Sequence, residues 1–242
     1  MPRLHVNIDH VATLRQARQE SFPSPIRWAL AAEAAGAQGI TCHLRKDRRH
    51  IQDQDVVDLR EHITTLLNLE CSLDPEMVGI ALESGADAFC LVPENRNEVT
   101  TEGGLDVRGE LGRLAKVVPA LTDKGGLVSL FVDPDPEQLD ASREVGAAFV
   151  ELHTGRYALA RGEAREAELE RLSSAAQHAQ SIGLRVNAGH GLDFENVGPV
   201  AAIAGLEELN IGFALVAQAV FTGVVPCVTE MIALMNPPKP LG

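Results

Sequence analysis

The chain has 242 residues, 45% of them apolar and only 4% aromatic, with a formal net charge of −13. That length and apolar share suffice for one sizeable core, and no apolar run reaches the roughly 18 residues a membrane span needs. The acidic balance argues against nucleic acid as a partner, the amino-terminal segment lacks the long apolar stretch of a signal peptide, and the four cysteines, without CxxC spacing, read as buried reduced thiols of a cytoplasmic protein.

In chain order, Leu4–Asp9 reads as a short strand. Ser24 and Pro25 supply an N-cap and a first helical residue, and the helix through Ile26–Ala35 stops at Gly36. Gly39–Leu44 alternates apolar and polar residues as a strand, then runs into a burst of charge, Arg45–His50. In an acidic chain this burst suggests an anionic substrate held near His43, and a solvated basic loop is the alternative. Asp53–Thr64 reads as helix and Leu66–Cys71 as strand; Asp74 and Pro75 open a helix that Gly85 closes. Ala88–Pro93 is a strand, followed by Glu94–Val107, too long and polar for a plain connection and with glycines at 103 and 104 for a hinge, hence a lid over the substrates. Helix is expected over Arg108–Asp123, Pro136–Val145, Glu163–Ile182, Asn196–Ala204, Val216–Thr222 and Val225–Met235; strand over Leu127–Asp133, Phe149–Thr154, Leu184–Ala188 and Leu209–Phe213.

Strands that alternate with helices imply right-handed parallel crossovers. Eight such units make a (β/α)8 barrel of ordinary size, occupying residues 1–242 as one domain. A doubly wound open sheet is the runner-up, but no GxGxxG follows the first strand.

Residues two apart on a strand share a face. Asn7 with Asp9, Thr41 with His43, Asn68 with Glu70, Glu151 with His153, Asn187 with Gly189 and Asn210 with Gly212 all place polar or small residues at strand ends in this way. Buried polar groups are costly unless satisfied, so this repeated habit points to a polar mouth where barrel active sites form. His10, His43, His153 and His190 also fall at expected strand ends, whereas His5, His62 and His178 read as structural or surface histidines. A metal site is one option for such a set. No HxH or HExxH pair is present and cations crowd the same mouth, which favours acid–base roles. Glu70, at the end of an apolar strand, is the expected general base. For phosphate, the glycines flanking His190 and Gly212 before a helix sit after the seventh and eighth strands, the usual platform in barrels. Arg15, Arg18, Arg45 and Arg49 form a second cationic set.

Several stretches then coincide with one family. NIDHVATLRQAR (Asn7–Arg18), HLRKDRRH (His43–His50), NLE (Asn68–Glu70), LVPENRNEVTTEGGLDV (Leu91–Val107), ELHTG (Glu151–Gly155), VNAGHGL (Val186–Leu192) and ELNIG (Glu208–Gly212) together resemble the pyridoxine 5'-phosphate synthases over nearly the whole chain. The resemblance implies condensation of 3-amino-2-oxopropyl phosphate with 1-deoxy-D-xylulose 5-phosphate to pyridoxine 5'-phosphate, inorganic phosphate and water. It implies no metal or organic cofactor, and a homo-octamer of barrels with extra helices. By matching motifs, His43 and Glu70 are implied as proton acceptors, His190 as a proton donor and Glu151 as a transition-state stabiliser. Asn7, Arg18, Gly191 and Gly212 are implied to contact the amino-ketone phosphate; Asp9, His10, Arg45, His50 and Thr100 the deoxyxylulose phosphate. Where the family usually has histidine after Gly212, this chain has Phe213, which can serve if only the backbone N–H is needed. A metal-dependent barrel hydrolase and a catalytically silent sugar-phosphate sensor are the alternatives of other classes.

Overall fold

The computed structural model describes residues 1–94 and 103–236. Strands and helices follow one another as β1 (Arg3–Asn7), α1 (Asp9–Gln16), α2 (Pro25–Ala34), β2 (Gly39–His43), α3 (Asp53–His62), β3 (Leu66–Cys71), α4 (Pro75–Glu83) and β4 (Ala88–Leu91). Then come α5 (Leu111–Asp123), β5 (Leu127–Val132), α6 (Pro136–Glu144), β6 (Phe149–His153), α7 (Gly155–Leu159) and α8 (Glu163–Ser181). The chain finishes with β7 (Arg185–Gly189), α9 (Val197–Ala201), β8 (Leu206–Ile211), α10 (Phe213–Thr222) and α11 (Val224–Met235). The eight strands are parallel and pair in sequence order, and β8 closes on β1 through Arg3 opposite Glu208 and His5 opposite Asn210. This is a (β/α)8 barrel, not an open doubly wound sheet.

Local chemistry sets the helix starts. Ser24 accepts the Arg27 N–H at 3.3 Å, Asp74 the Glu76 N–H at 3.0 Å and Asp135 the Glu137 N–H at 3.0 Å, each with proline in the first turn. Gly36 ends α2 at φ +104°, where a side chain would be strained.

The strands bury two different faces. Leu4, Val6, Ile40, Cys42, Leu67, Leu69, Leu130, Val132, Val150 and Leu152 are fully buried in the apolar core shared with the helices, each such side chain contributing roughly 1.5–3 kcal/mol. The alternate residues fill the barrel interior and are largely polar: His5, Thr41, His43, Asn68, Ser129, Glu151, Asn187, Glu208 and Asn210 are all buried. Cys90, Val92 and Phe131 form a separate small apolar cluster. The four cysteines are free and buried, as expected. No helix among the described residues is long and apolar enough to cross a membrane.

The strands at the two ends of the barrel seam differ most from the sequence reading. The strand expected over Leu4–Asp9 ends at Asn7, whose Oδ1 accepts the Asp9 N–H at 2.9 Å and turns the chain straight into α1. His10 therefore lies on a helix, not at a strand end. The strand expected over Leu209–Phe213 is Leu206–Ile211, and Phe213 instead opens α10 after Gly212 leaves the extended conformation at φ −125°, ψ −78°. The charged pair Glu207 and Glu208 concealed the start of β8; Glu207 faces out to Arg185 at 2.6 Å, while Glu208 faces in. The short helix α7 was not anticipated.

Candidate active site

β2 and β3 run side by side with His43 opposite Glu70, so the two side chains emerge together at the carboxyl end of the barrel. His43 Nδ1 is 3.9 Å from Glu70 Oε2, and its Nε2 is 3.5 Å from Glu94 Oε1. The His43 backbone N–H donates to Asp9 Oδ1 at 2.7 Å, while Asp9 Oδ2 accepts from Asn7 Nδ2 at 2.9 Å. Burial, with the negative charges of Glu151 and Asp9, pushes the Glu70 carboxyl well above its ordinary value. Asp9, His43 and Glu70 each bring a ligand atom within 4.8 Å of the others, the place among the described residues where a metal ion could be held. Both Asp9 oxygens are already engaged by hydrogen bonds, which favours the acid–base use of His43 and Glu70.

Glu151 stands further round the barrel at the end of a side-chain relay. Asn68 Nδ2 donates to Thr41 Oγ1 at 3.3 Å, Thr41 Oγ1 donates to Asn210 Oδ1 at 2.9 Å, and Asn210 Nδ2 donates to Glu151 Oε2. The relay holds Glu151 in place without supplying a cation. Burial consequently lifts its carboxyl to about 7, against the hydrogen bond from Asn210 and with the Glu208 charge adding to the rise. A carboxyl poised there can exchange a proton at neutral pH.

His190 follows β7 in the turn Gly189–His190–Gly191. Both His190 (φ +82°) and Gly191 (φ +79°) have left-handed backbone, a state that costs a residue with a side chain on the order of 1 kcal/mol or more and clusters at functional sites. The turn is tied down by Thr154, whose Oγ1 donates to the Gly189 and His190 carbonyls at 2.7 and 2.6 Å. Burial first, then the charges of His153 and His10, lower the His190 imidazole to about 4. The His153 ring packs edge-on to it with centroids 5.1 Å apart, and Phe131 lies 6.2 Å away.

The expected anion contacts divide. Gly212 abuts Asn7 so closely that an added Cβ would lie 3.0 Å from the asparagine side chain, which brings these two together at the start of α10. Phe213 is 68% exposed and its ring meets His10 edge-on at 5.2 Å, so its side chain fills no core position. Arg45 is buried with Nε 3.8 Å from Glu94. The His50 ring sits 6.1 Å from that of His43, and burial lowers its pKa. Arg18 is exposed beyond the end of α1, 3.5 Å from Glu20. Thr100 and most of the expected lid lie outside the described residues. Arg15 does not join an anion site: it is buried and held by both Asp55 oxygens, at 2.6 and 2.7 Å. Lys46, Arg48 and Arg49 pair with Asp74 (2.5 Å), Asp53 (2.8 Å) and Asp47 (2.7 Å), so much of the charge burst is a neutralised rim. Asn187 turns away from the mouth and donates to Glu208 at 2.8 Å.

Sequence reasoning overlooked Glu94, Asp133 and the partnerships of Asn210. Their signal was weak because each reaches the site from an element far along the chain: Asn210 meets Thr41 and Glu151, and Asp133 Oδ1 meets His153 Nδ1 at 3.0 Å.

Residues 4–237 match the family described as "Pyridoxal phosphate biosynthesis protein PdxJ". The chain belongs to the PdxJ family. A relative named pyridoxine 5'-phosphate synthase from Synechococcus sp. (strain JA-2-3B'a(2-13)) is 58% identical over 237 residues, covering 98% of this chain and 99% of its own. Another of that name from Thermosynechococcus vestitus is 55% identical, covering 98% of this chain and 100% of its own. As a PdxJ protein the chain is an enzyme of vitamin B6 biosynthesis. Among solved structures, KGPDC from Streptococcus mutans superposes with a TM-score of 0.67 at 13% identity over 97% of both chains. The phosphoribosylanthranilate isomerase of Thermotoga maritima gives 0.61 at 11% identity over 97% of this chain and 98% of that one. At such identities these two speak to the barrel alone.

Proposed function

We propose that the mouth of this PdxJ barrel joins 3-amino-2-oxopropyl phosphate to 1-deoxy-D-xylulose 5-phosphate by general acid–base catalysis, with His43 and Glu70 accepting protons, His190 donating one and Glu151 stabilising the charge that develops. Amine–ketone condensation followed by ring closure needs protons removed from nitrogen and carbon and delivered to departing oxygens. The observation that carries the reading is the pair His43 and Glu70, 3.9 Å apart, with burial raising the carboxyl well above its ordinary value so that it takes up a proton more readily. Glu151, held by Asn210 and raised to about 7, supplies a second carboxyl in the same interior.

The phosphate of the amino ketone is placed at Gly191, Gly212, Asn7 and the first N–H groups of α10, including that of Phe213, with Arg18 as a further contact. The amides at the start of a helix have no intrahelical acceptor and favour an anion. The other substrate is placed at Asp9, His10, Arg45, His50 and Thr100. A dianion arriving beside Gly191 raises the proton affinity of the neighbouring His190, so the imidazole that is neutral in the empty mouth takes up its proton as substrate binds. The homo-octamer rests on the family resemblance, and the cytoplasmic location on the four free, buried cysteines. The exposed apolar residues Val220, Phe221 and Val225 at the α10–α11 junction suit a covered face.

Mixing the purified chain with both substrates and following pyridoxine 5'-phosphate and released phosphate tests the reading. Turnover that requires both substrates and survives a chelator supports it. No product from an intact, folded chain, or activity lost to the chelator, sinks it.

A further inference from the structure

His153 was grouped with the other strand-end histidines, yet no role follows for it from the reaction as described. It ends β6 two residues after Glu151 and is buried. Its Nδ1 is 3.0 Å from Asp133 Oδ1, just past the end of β5, and this contact is the main reason the Asp133 carboxyl lies below its ordinary value. The ring is boxed in. Phe131 packs on it at 5.1 Å, and Gly155 approaches so closely that an added Cβ would lie 2.5 Å from Nε2. Its edge-on partner is the His190 ring at 5.1 Å.

We propose that Asp133 and His153 form a positioning pair for His190: Asp133 fixes the His153 ring, and the ring holds the His190 imidazole in the mouth. The inference rests on the reading of His190 as proton donor.

The physical argument has two parts. His190 sits on left-handed backbone outside the strand, so its direction is decided by what its ring touches. Those contacts are His153 and Phe131, and His10 adds its charge from α1. Electrostatically, positive charge on His153 and on His10 disfavours a proton on His190. The Asp133 carboxylate faces His153 and is itself braced by the Gly104 N–H and the nearby Arg156 charge. Gly104 is required there, since an added Cβ would meet the Asp133 nitrogen at 2.1 Å. A bound dianion then draws a proton onto His190 while the pair keeps that proton easy to release.

The test uses the full-length chain. His153→Gln removes the imidazole ring but keeps a polar side chain. The His190 imidazole is titrated by NMR in both proteins, with its resonance assigned by loss in His190→Gln, and turnover is followed against pH. The expected result is a His190 pKa about one unit higher, an alkaline limb of kcat moved up by a similar amount, kcat about tenfold lower and KM for both phosphates little changed. Asp133→Asn, which preserves shape, is expected to lower kcat with KM unchanged, and it covers the case in which His153→Gln folds poorly. Unmoved titration and an unmoved pH limb in His153→Gln, or full kcat in Asp133→Asn, overturn the pair. If His190→Gln is inactive while those variants behave like the unaltered chain, the pairing alone falls. If His190→Gln turns over normally, the donor role falls and the pair with it.

Discussion

The two ends of the barrel interior are both polar and are built on opposite electrostatic plans. At the base, Glu208 is met by Arg3 across the seam between β8 and β1, accepts from Asn187 at 2.8 Å and has His5 Nε2 at 3.5 Å. The buried His5 is driven down to about 4 and stays neutral at physiological pH. At the mouth, Glu70 feels the negative charges of Glu151 and Asp9 with His43 at 3.9 Å, and Glu151 feels that of Glu208 while taking its hydrogen bond from the neutral Asn210. Both ends bury carboxylates, and at the base Glu208 has Arg3 as a permanent cation. Burial raises the Glu208 carboxyl too, with the Arg3 and Arg185 charges opposing the rise, whereas at Glu70 burial and the neighbouring carboxylates act together; a carboxyl raised in that way is one that chemistry can draw on.

The largest expected effect separates the ends by activity. Glu70→Gln keeps the shape of the mouth and removes its proton acceptor, so turnover should fall by about 10²-fold, roughly 2.7 kcal/mol in the barrier, while binding of either phosphate persists. Steady-state kinetics beside ligand titration decides this, and near-normal turnover would take Glu70 out of the mechanism.

The base should respond in the other currency. Arg3→Met keeps most of the side-chain stem and leaves Glu208 buried beside Asn187 and the neutral His5. A loss of about 2 kcal/mol in unfolding free energy is expected, with kcat at neutral pH close to that of the unaltered chain. Denaturant melts and kinetics on one preparation check both halves. A large fall in kcat without a stability change would erase the distinction.

Glu151→Gln sharpens it through pH. A carboxyl raised from 4.5 to about 7 in the fold contributes stability that is complete below its unfolded value and is lost as pH rises through 7. The variant, which cannot ionise, should therefore gain on the unaltered chain between about pH 5 and 8, by about 1–3 kcal/mol at the alkaline end, and match it near pH 4. Thermal melts across that range measure this; the same difference at every pH would mean Glu151 is not raised.

The smallest effect concerns the rim. With the Phe213 ring exposed against His10 and its amide at the start of α10, Phe213→His should change KM for the amino-ketone phosphate by less than tenfold, under about 1.4 kcal/mol. A larger gain would show that an imidazole belongs there.

Much of this was legible along the chain because it rests on local physics. Alternation of apolar and polar residues marked the strands, Ser24, Asp74 and the prolines after them marked helix starts, and two-residue spacing put Thr41 with His43 and Asn68 with Glu70 on one face. The family motifs marked the site residues for the same reason: each is a short contiguous stretch. Pairing between distant elements could not be read this way. That Arg15 is spent on Asp55, that Asn187 turns to Glu208, that Asn210 links Thr41 to Glu151 and that Asp133 grips His153 depends on residues 20 to 169 positions apart being brought side by side. The sequence by itself determined which residues are polar on the inward face and how many units close the barrel. Only the tertiary structure decided which of them find a partner, because burial and the charge of a neighbour across the barrel, and not residue type, set the cost of ionisation.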